Sequence, residues 1–276
     1  MDTLELIRSQ ISQRSQPQVI QSQGSALVQM NPPQGDSFDY YGWLRSISFG
    51  GDIIMILGDS GVGKSKICVK FANETLKTNR KVLYVDSEGN LPPAIWNQMR
   101  NIIFVRQPDF NEMIRYCKDT ITDQKRFDLI IIDSTTLPYT GSLAYSNMKK
   151  KGDMPQKIQA LYSKLKTHCQ KYGIIAIVVH QFESGMGKGE NTARDPLGGK
   201  AKYFVKCKLL VTAKRRPDGS HVEKEREIKV FSHFCFPDNQ LISKFETNMI
   251  DVNFTNVQNM KKIVFEMNQK LGVKQQ

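Results

Sequence analysis

Cysteine is scarce. There are five in 276 residues (Cys68, Cys117, Cys169, Cys207, Cys235), scattered and without a C-x-x-C pair. That excludes a disulfide framework and a zinc-ribbon site, and it fits buried thiols in a reducing, intracellular compartment. No apolar run approaches the ~20 residues that a membrane-spanning helix needs. The N-terminus, MDTLELIRSQ, carries acids and no long apolar centre, so it does not read as a signal peptide. The expectation is a cytoplasmic protein with no membrane association. Acidic residues are also in deficit: 27 Asp/Glu stand against 39 Lys/Arg, a net charge of +12. The deficit is local. Residues 148–231 hold 19 Lys/Arg and 8 Asp/Glu, so one stretch carries nearly all the surplus. Phosphate-rich polymers are the natural partners of such a surface.

With 39% hydrophobic and 24% charged residues the composition is globular. The length suits one large α/β domain or two small ones.

One stretch organises the rest. Residues 53–65 read IIMILGDSGVGKS, a buried apolar run followed by Gly58, Asp59, Ser60, Gly61, Val62, Gly63, Lys64 and Ser65. The spacing G-x-x-x-x-G-K-[ST] is that of a nucleotide phosphate loop. Glycines let backbone N–H groups turn inward around phosphate oxygens, and the helix that follows aims its positive end at them. Lys64 is placed to reach the β- and γ-phosphates of ATP, and the Ser65 hydroxyl to bind Mg²⁺.

Around this loop the chain alternates. Apolar runs at 81–86 (KVLYVD), 102–105, 128–133 (DLIIID) and 173–180 (GIIAIVVH) read as strands. Residues 109–122 and 155–172 have helical spacing between them. That order predicts a mostly parallel central sheet flanked by helices. Residues 207–213 and 222–231 alternate around RPDGS, a hairpin that extends the sheet in antiparallel fashion, with 241–245 a further strand. An amphipathic helix from about Asn256 closes the chain, with Val257, Met260, Ile263, Val264, Met267 and Leu271 on one stripe. The expected organisation is a flexible tail over 1–36, a core over 37–253 and a terminal helix over 254–276. The tail is Gln/Ser/Pro-rich and too polar for a core, although residues 26–30 (ALVQM) could add as a strand to a neighbouring subunit.

A second set of charges falls at strand ends. Asp133 closes four apolar residues in a row and is expected beside the phosphate loop, as the second metal-side carboxylate. Glu88 is expected at the tip of the strand adjacent to the phosphate-loop strand, where it could activate water in line with the γ-phosphate. Gln181 is placed to contact the γ-phosphate and report its loss to the glycine-rich loop 182–200, which carries Lys188, Arg194 and Lys200.

SEG after the second strand, LIIIDS, VVHQ and PLGGKAKYF after a glycine-rich loop together resemble the RecA/RadA recombinase ATPase core, in its core-only RadB-like or phage RecA-like forms. The resemblance implies a P-loop ATPase fold, ATP and Mg²⁺ as ligands, and recombination, repair or strand annealing on single-stranded DNA. It implies Glu88 as general base, Asp133 as the Walker B carboxylate and Gln181 as the coupling residue. Residues 139–154, with Lys149, Lys150 and Lys151, would form a first DNA loop and 182–199 a second, in which Lys188 and Arg194 meet phosphates. Tyr145 or Phe182 would stack on bases. Asp195, Pro196, Lys200 and Lys202 would approach the ATP of an adjacent subunit in a homo-oligomeric filament or ring, with recombinase or replication proteins as further partners. Such a protein would sit in the cytoplasm or on the nucleoid. Neither a helix-hairpin-helix domain nor an F-x-x-A motif is visible in the N-terminal residues. The alternatives are a DnaB-type hexameric helicase, which shares the core, and a KaiC-like regulatory ATPase acting on proteins. The latter usually pairs two glutamates where this chain has Glu88 alone.

Overall fold

The structure, a computed structural model, describes residues 18–21, 38–96, 99, 102–122, 124–136, 138, 148–181, 203–215, 221–247 and 252–271. Its strands are β1 (Gln18–Gln21), β2 (Ile53–Gly58), β3 (Val82–Asp86), β4 (Ile102–Arg106), β5 (Leu129–Asp133), β6 (Ile175–Gln181), β7 (Cys207–Arg215), β8 (His221–Ser232), β9 (Leu241–Thr247) and β10 (Val252–Phe254). Its helices are α1 (Tyr40–Ile47), α2 (Lys64–Lys77), α3 (Pro93–Trp96), α4 (Phe110–Thr120), α5 (Met148–Tyr172) and α6 (Val257–Lys270).

The strands form one sheet in the order β1-β4-β3-β5-β6-β2-β7-β8-β9-β10. From β4 through β7 every pairing is parallel, while β8, β9 and β10 add in antiparallel fashion. The expected fold class is therefore met, hairpin included.

Because side chains alternate across a sheet, each strand feeds two cores. Ile54, Ile56, Tyr84, Phe104, Ile131 and Ile177 face one cluster, closed by Leu44 of α1, Phe71 of α2 and Met260 of α6. Ile53, Met55, Leu57, Val85, Ile130, Ile132 and Val178 face the other, closed by Phe110 and Met113 of α4 and by Leu161 and Leu165 of α5. Strands buried on both faces have no polar alternation to show, which is why β2, β3 and β5 read as unbroken apolar runs.

Strand order departs from expectation. Glu88 follows β3, which was expected beside β2 but does not touch it; β5, which ends in Asp133, and β6 lie between them. The reason is β6 itself, six buried residues long before Gln181, which pairs parallel with β2 from Ile53↔Ala176 to Gly58↔Gln181. Nearness along the chain favours but does not dictate nearness in a sheet.

Three local differences also have causes. Helix α5 begins at Met148, not Pro155, and passes through that proline. β1 pairs antiparallel with β4, Gln18↔Arg106 to Gln21↔Ile103, within the segment read as a tail. An edge strand needs backbone N–H and C=O groups, not an apolar face, so polarity did not forbid it. Residues 26–30, the expected added strand, lie outside the described residues. Finally, α1 fills the stretch before β2, capped by Asp39, whose Oδ1 accepts from Gly42 N at 2.8 Å.

Candidate nucleotide site

The phosphate loop lies where the spacing puts it, between β2 and α2. Helix α2 starts at Lys64 directly after Gly63, whose φ of 100° is left-handed and suits glycine. At Gly58 a Cβ would stand 2.5 Å from Val211 O on β7, so the loop leaves the sheet at a point with no room for a side chain. Lys64 is buried, and its Nζ donates to Gly58 O at 2.9 Å and Asp59 O at 2.6 Å. Burial pushes its pKa down, while the charges of Glu88, Asp133 and Asp59 push it back up. The ammonium is thus held within the field of the two carboxylates picked from sequence.

Asp133 is buried, at the end of β5. Tyr84 OH donates to its Oδ2 at 2.7 Å. Among the described residues no group is placed to hydrogen-bond closely to its buried Oδ1. The Ser65 hydroxyl nevertheless lies near enough to favour the charged form. Burial dominates and pushes the pKa up to about 6, with Tyr84 and Ser65 opposing and Glu88 and Asp86 adding to the rise. Two units above the usual carboxylate value correspond to roughly 3 kcal/mol of cost at neutral pH. The four buried residues ahead of it, Leu129 to Ile132, each contribute about 1.5–3 kcal/mol, so the strand can carry this carboxylate. A buried oxygen lacking a donor, next to a serine hydroxyl, is a donor set that suits a hard divalent cation completed by phosphate oxygens and water. These residues fit Mg²⁺.

Glu88 stands past the end of β3. Ser134 Oγ donates to its Oε1 at 2.7 Å and Asn90 Nδ2 to its Oε2 at 2.9 Å. Asp86 anchors the turn from below, its Oδ1 accepting from Gly89 N at 2.8 Å and Glu88 N at 3.2 Å. Arg106 closes the far side, reaching Asp86 Oδ2 at 3.4 Å and Leu91 O at 2.7 Å.

The segment after Asp133 ties three strand tips together. Ser87 N donates to Asp133 O, and the Ser87 hydroxyl to Ser134 O. Thr135 N donates to Val179 O at 3.0 Å. Gln181 N donates to Thr136 Oγ1 at 2.8 Å, which fixes the candidate coupling residue at the end of β6. Thr135 Oγ1 lies 3.0 Å from Tyr162 OH, which in turn hydrogen-bonds to His180 Nε2. Sequence reasoning assigns Ser134, Thr135 and Thr136 no role, and Tyr84 none beyond membership of a strand. A serine next to a strand-end carboxylate was the available signal for Ser134; none existed for Tyr84.

The structure therefore brings together Lys64, Ser65, Glu88, Asp133 and Gln181. Lys149, Lys150 and Lys151 lie by backbone in the first turn of α5, not in a loop. Lys188, Arg194, Asp195, Pro196, Lys200, Lys202, Tyr145 and Phe182 lie outside the described residues. Among the described residues no helix is long and apolar enough to cross a membrane.

The chain also resembles known proteins in sequence and fold. The family model of the RecA N-terminal domain matches residues 47–257. The chain is similar to the DNA repair and recombination protein RadB of Methanococcoides burtonii, 24% identical over 200 residues, covering 68% of this chain and 83% of that protein. It is similar to Protein RecA of Mesomycoplasma hyopneumoniae, 21% identical over 229 residues, covering 81% of this chain and 67% of that one. Among solved structures, the crystal structure of the RadB recombinase superimposes with a TM-score of 0.55 at 19% identity, over 76% of this chain and 94% of that one, a likeness of fold. A match across the phosphate loop, both carboxylates and the hairpin leaves one conclusion: this chain belongs to the RecA N-terminal domain family.

Proposed function

We propose that this protein is an ATPase that binds single-stranded DNA in recombination or repair. The observation that carries the reading is the meeting of Lys64, Ser65, Asp133 and Glu88 at one edge of the sheet, with Asp133 Oδ1 buried beside the Ser65 hydroxyl and, among the described residues, without a close donor. Gly58, Asp59, Ser60, Gly61, Val62 and Gly63 wrap the phosphates, and Lys64 pairs with the β- and γ-oxygens. Ser65 and Asp133 hold Mg²⁺, which when bound neutralises charge on those oxygens. Glu88, oriented by Ser134 and Asn90, accepts the proton of the attacking water. Gln181 carries the state of the γ-phosphate into residues 182–200.

Lys149, Lys150, Lys151, Lys188 and Arg194 contact DNA phosphates in this reading. Asp195, Pro196, Lys200 and Lys202 face the ATP of a neighbouring subunit in a filament or ring. DNA affinity then falls steeply with salt, by about 0.7 in log–log slope for each phosphate neutralised on a single strand.

The test is phosphate release from Mg·ATP with and without single-stranded DNA, run beside nucleotide binding. Lys64→Ala is expected to lose binding. Glu88→Gln is expected to bind ATP and to hydrolyse it orders of magnitude more slowly. A wild-type protein that takes up no Mg·ATP, or a Glu88→Gln variant with normal turnover, ends the reading.

A further inference from the structure

The edge of the sheet opposite the phosphate loop carries a groove of about 610 Å³ that the nucleotide chemistry does not use. It lies where the parallel strands begin, roughly 17–20 Å from the loop along the six residues of β2. Its lining includes Phe49, Phe234, Leu271, Arg45, Lys206 and Asp52. Among the described residues five large apolar side chains are exposed, and three of them converge here: Phe49 (39%), Phe234 (79%) and Leu271 (41%). Exposed apolar groups gathered in one concavity mark interaction sites, whereas scattered ones do not.

The groove is preformed. Phe49 has a positive φ of 56°, unusual for a bulky residue, and its ring stacks on His233 at 5.2 Å and meets Phe234 edge-on at 6.4 Å. His233 is fixed in its neutral form: Nε2 donates to Ile47 O at 3.0 Å and Nδ1 accepts from Cys235 N at 3.0 Å. That clamp ties the end of α1 to the turn after β8 and sets both phenylalanines.

The charge is one-sided. Arg45 and Lys206 are exposed at the rim, and Lys270 lies alongside, 5.4 Å over the Phe236 ring. Asp52, the acid in the lining, is buried, and Lys166 Nζ stands 3.5 Å from it. We propose that this groove docks an acidic peptide segment of another protein, with an aromatic or leucine side chain seated between Phe49, Phe234 and Leu271 and its carboxylates on Arg45 and Lys206. Charge complementarity selects the acid, and the aromatic anchors supply the burial that makes such contacts specific. Single-stranded nucleic acid fits less well: two rim cations serve few phosphates. The backbone N–H groups of Gly50 and Gly51 are spent on Arg45 O and Ser48 O. The inference does not depend on the ATPase reading.

The test is fluorescence anisotropy with the full chain and a fluorescein-labelled decapeptide of aspartates carrying one phenylalanine and one leucine. Saturable binding in the tens of micromolar is expected, weakened at least tenfold by Phe234→Ala and by Lys206→Glu. Phe265→Ala, an exposed aromatic on α6 outside this groove, and Lys64→Ala are expected to bind as wild type. A peptide with lysines in place of the aspartates is expected not to bind. The proposal is overturned by no saturation up to millimolar protein, by binding indifferent to Phe234→Ala, by displacement of the peptide by oligo(dT) that Phe234→Ala also abolishes, or by self-association that depends on Phe234. Phe234 is largely exposed, so its truncation leaves the fold intact, and an unchanged melting curve confirms that.

Discussion

Ser134 Oγ donates to Glu88 Oε1 at 2.7 Å, so the residue after one site carboxylate orients the other. A hydrogen bond to a charged group contributes about 1.5–3 kcal/mol, which corresponds to roughly tenfold to a hundredfold in rate. Ser134→Ala is expected to lower kcat for ATP by about that factor and to leave KM nearly unchanged. Ser134→Thr, which keeps the hydroxyl, is expected to recover most of it. Steady-state kinetics of both variants check this, and a Ser134→Ala enzyme with normal kcat removes Ser134 from the mechanism.

Asp133 offers a stability test with a definite sign. Its folded pKa, about 6, lies above the unfolded value of 3.8, so the folded protein holds the proton more tightly. This carboxyl therefore favours folding when protonated, and its contribution is lost as pH rises from about 4 through 6. Asp133→Asn is expected to melt higher than wild type at pH 7.5 without nucleotide, by up to roughly 3 kcal/mol. It is also expected to lose the stabilisation that Mg·ATP gives wild type. Thermal melts at pH 5 and 7.5, with and without Mg·ATP, check both halves.

Gly58→Ala puts a methyl against a backbone oxygen, not a flexible side-chain end, because Val211 O stands 2.5 Å from the new Cβ. Strands β2 and β7 must part at the point where the phosphate loop begins. Overpacking of this kind costs about 1–3 kcal/mol, and nucleotide affinity is expected to fall with it. Gly61→Ala meets nothing within 4 Å and carries only the cost of its positive φ, so it serves as the milder comparison. Urea denaturation of the two variants gives the order.

Helix α6 gives a contrast along a single stripe. Met260 and Ile263 are buried against the sheet, whereas Leu271 is exposed. Met260→Ala and Ile263→Ala are expected to destabilise by about 2–5 kcal/mol each, and Leu271→Ala by less than about 0.5 kcal/mol. Denaturant midpoints for the three substitutions measure it.

Much of this was legible beforehand, for physical reasons that differ by residue. The phosphate loop was legible because glycine, lysine and serine are each demanded there by backbone or charge. β5 and β6 were legible because strands buried on both faces must be continuously apolar. Helix α4 was legible through the helical spacing of residues 109–122; its cap, the Asp109 side chain accepting from Glu112 N at 2.9 Å, is seen in the structure. Helix α1 escaped, although Tyr40, Trp43, Leu44 and Ile47 keep helical spacing and Asp39 caps it, because Gly42 weakens the local signal. Strand order was illegible for a different reason. It depends on which apolar run packs against which, and β6 could have entered the sheet at several places without changing its own pattern. The contacts of Ser134 and Tyr84 were hidden for the same reason, since each crosses from one strand to another.

The interposed pair β5 and β6 has a mechanical consequence. The ammonium of Lys64 stands at the start of α2, just after β2, and the carboxylate of Glu88 just past β3; β5 and β6 lie between those two strands, so the gap between the two groups spans both. A displacement of Gln181, passed through its N–H bond to Thr136 into the segment that carries Ser134, would alter that gap without a ligand touching either group.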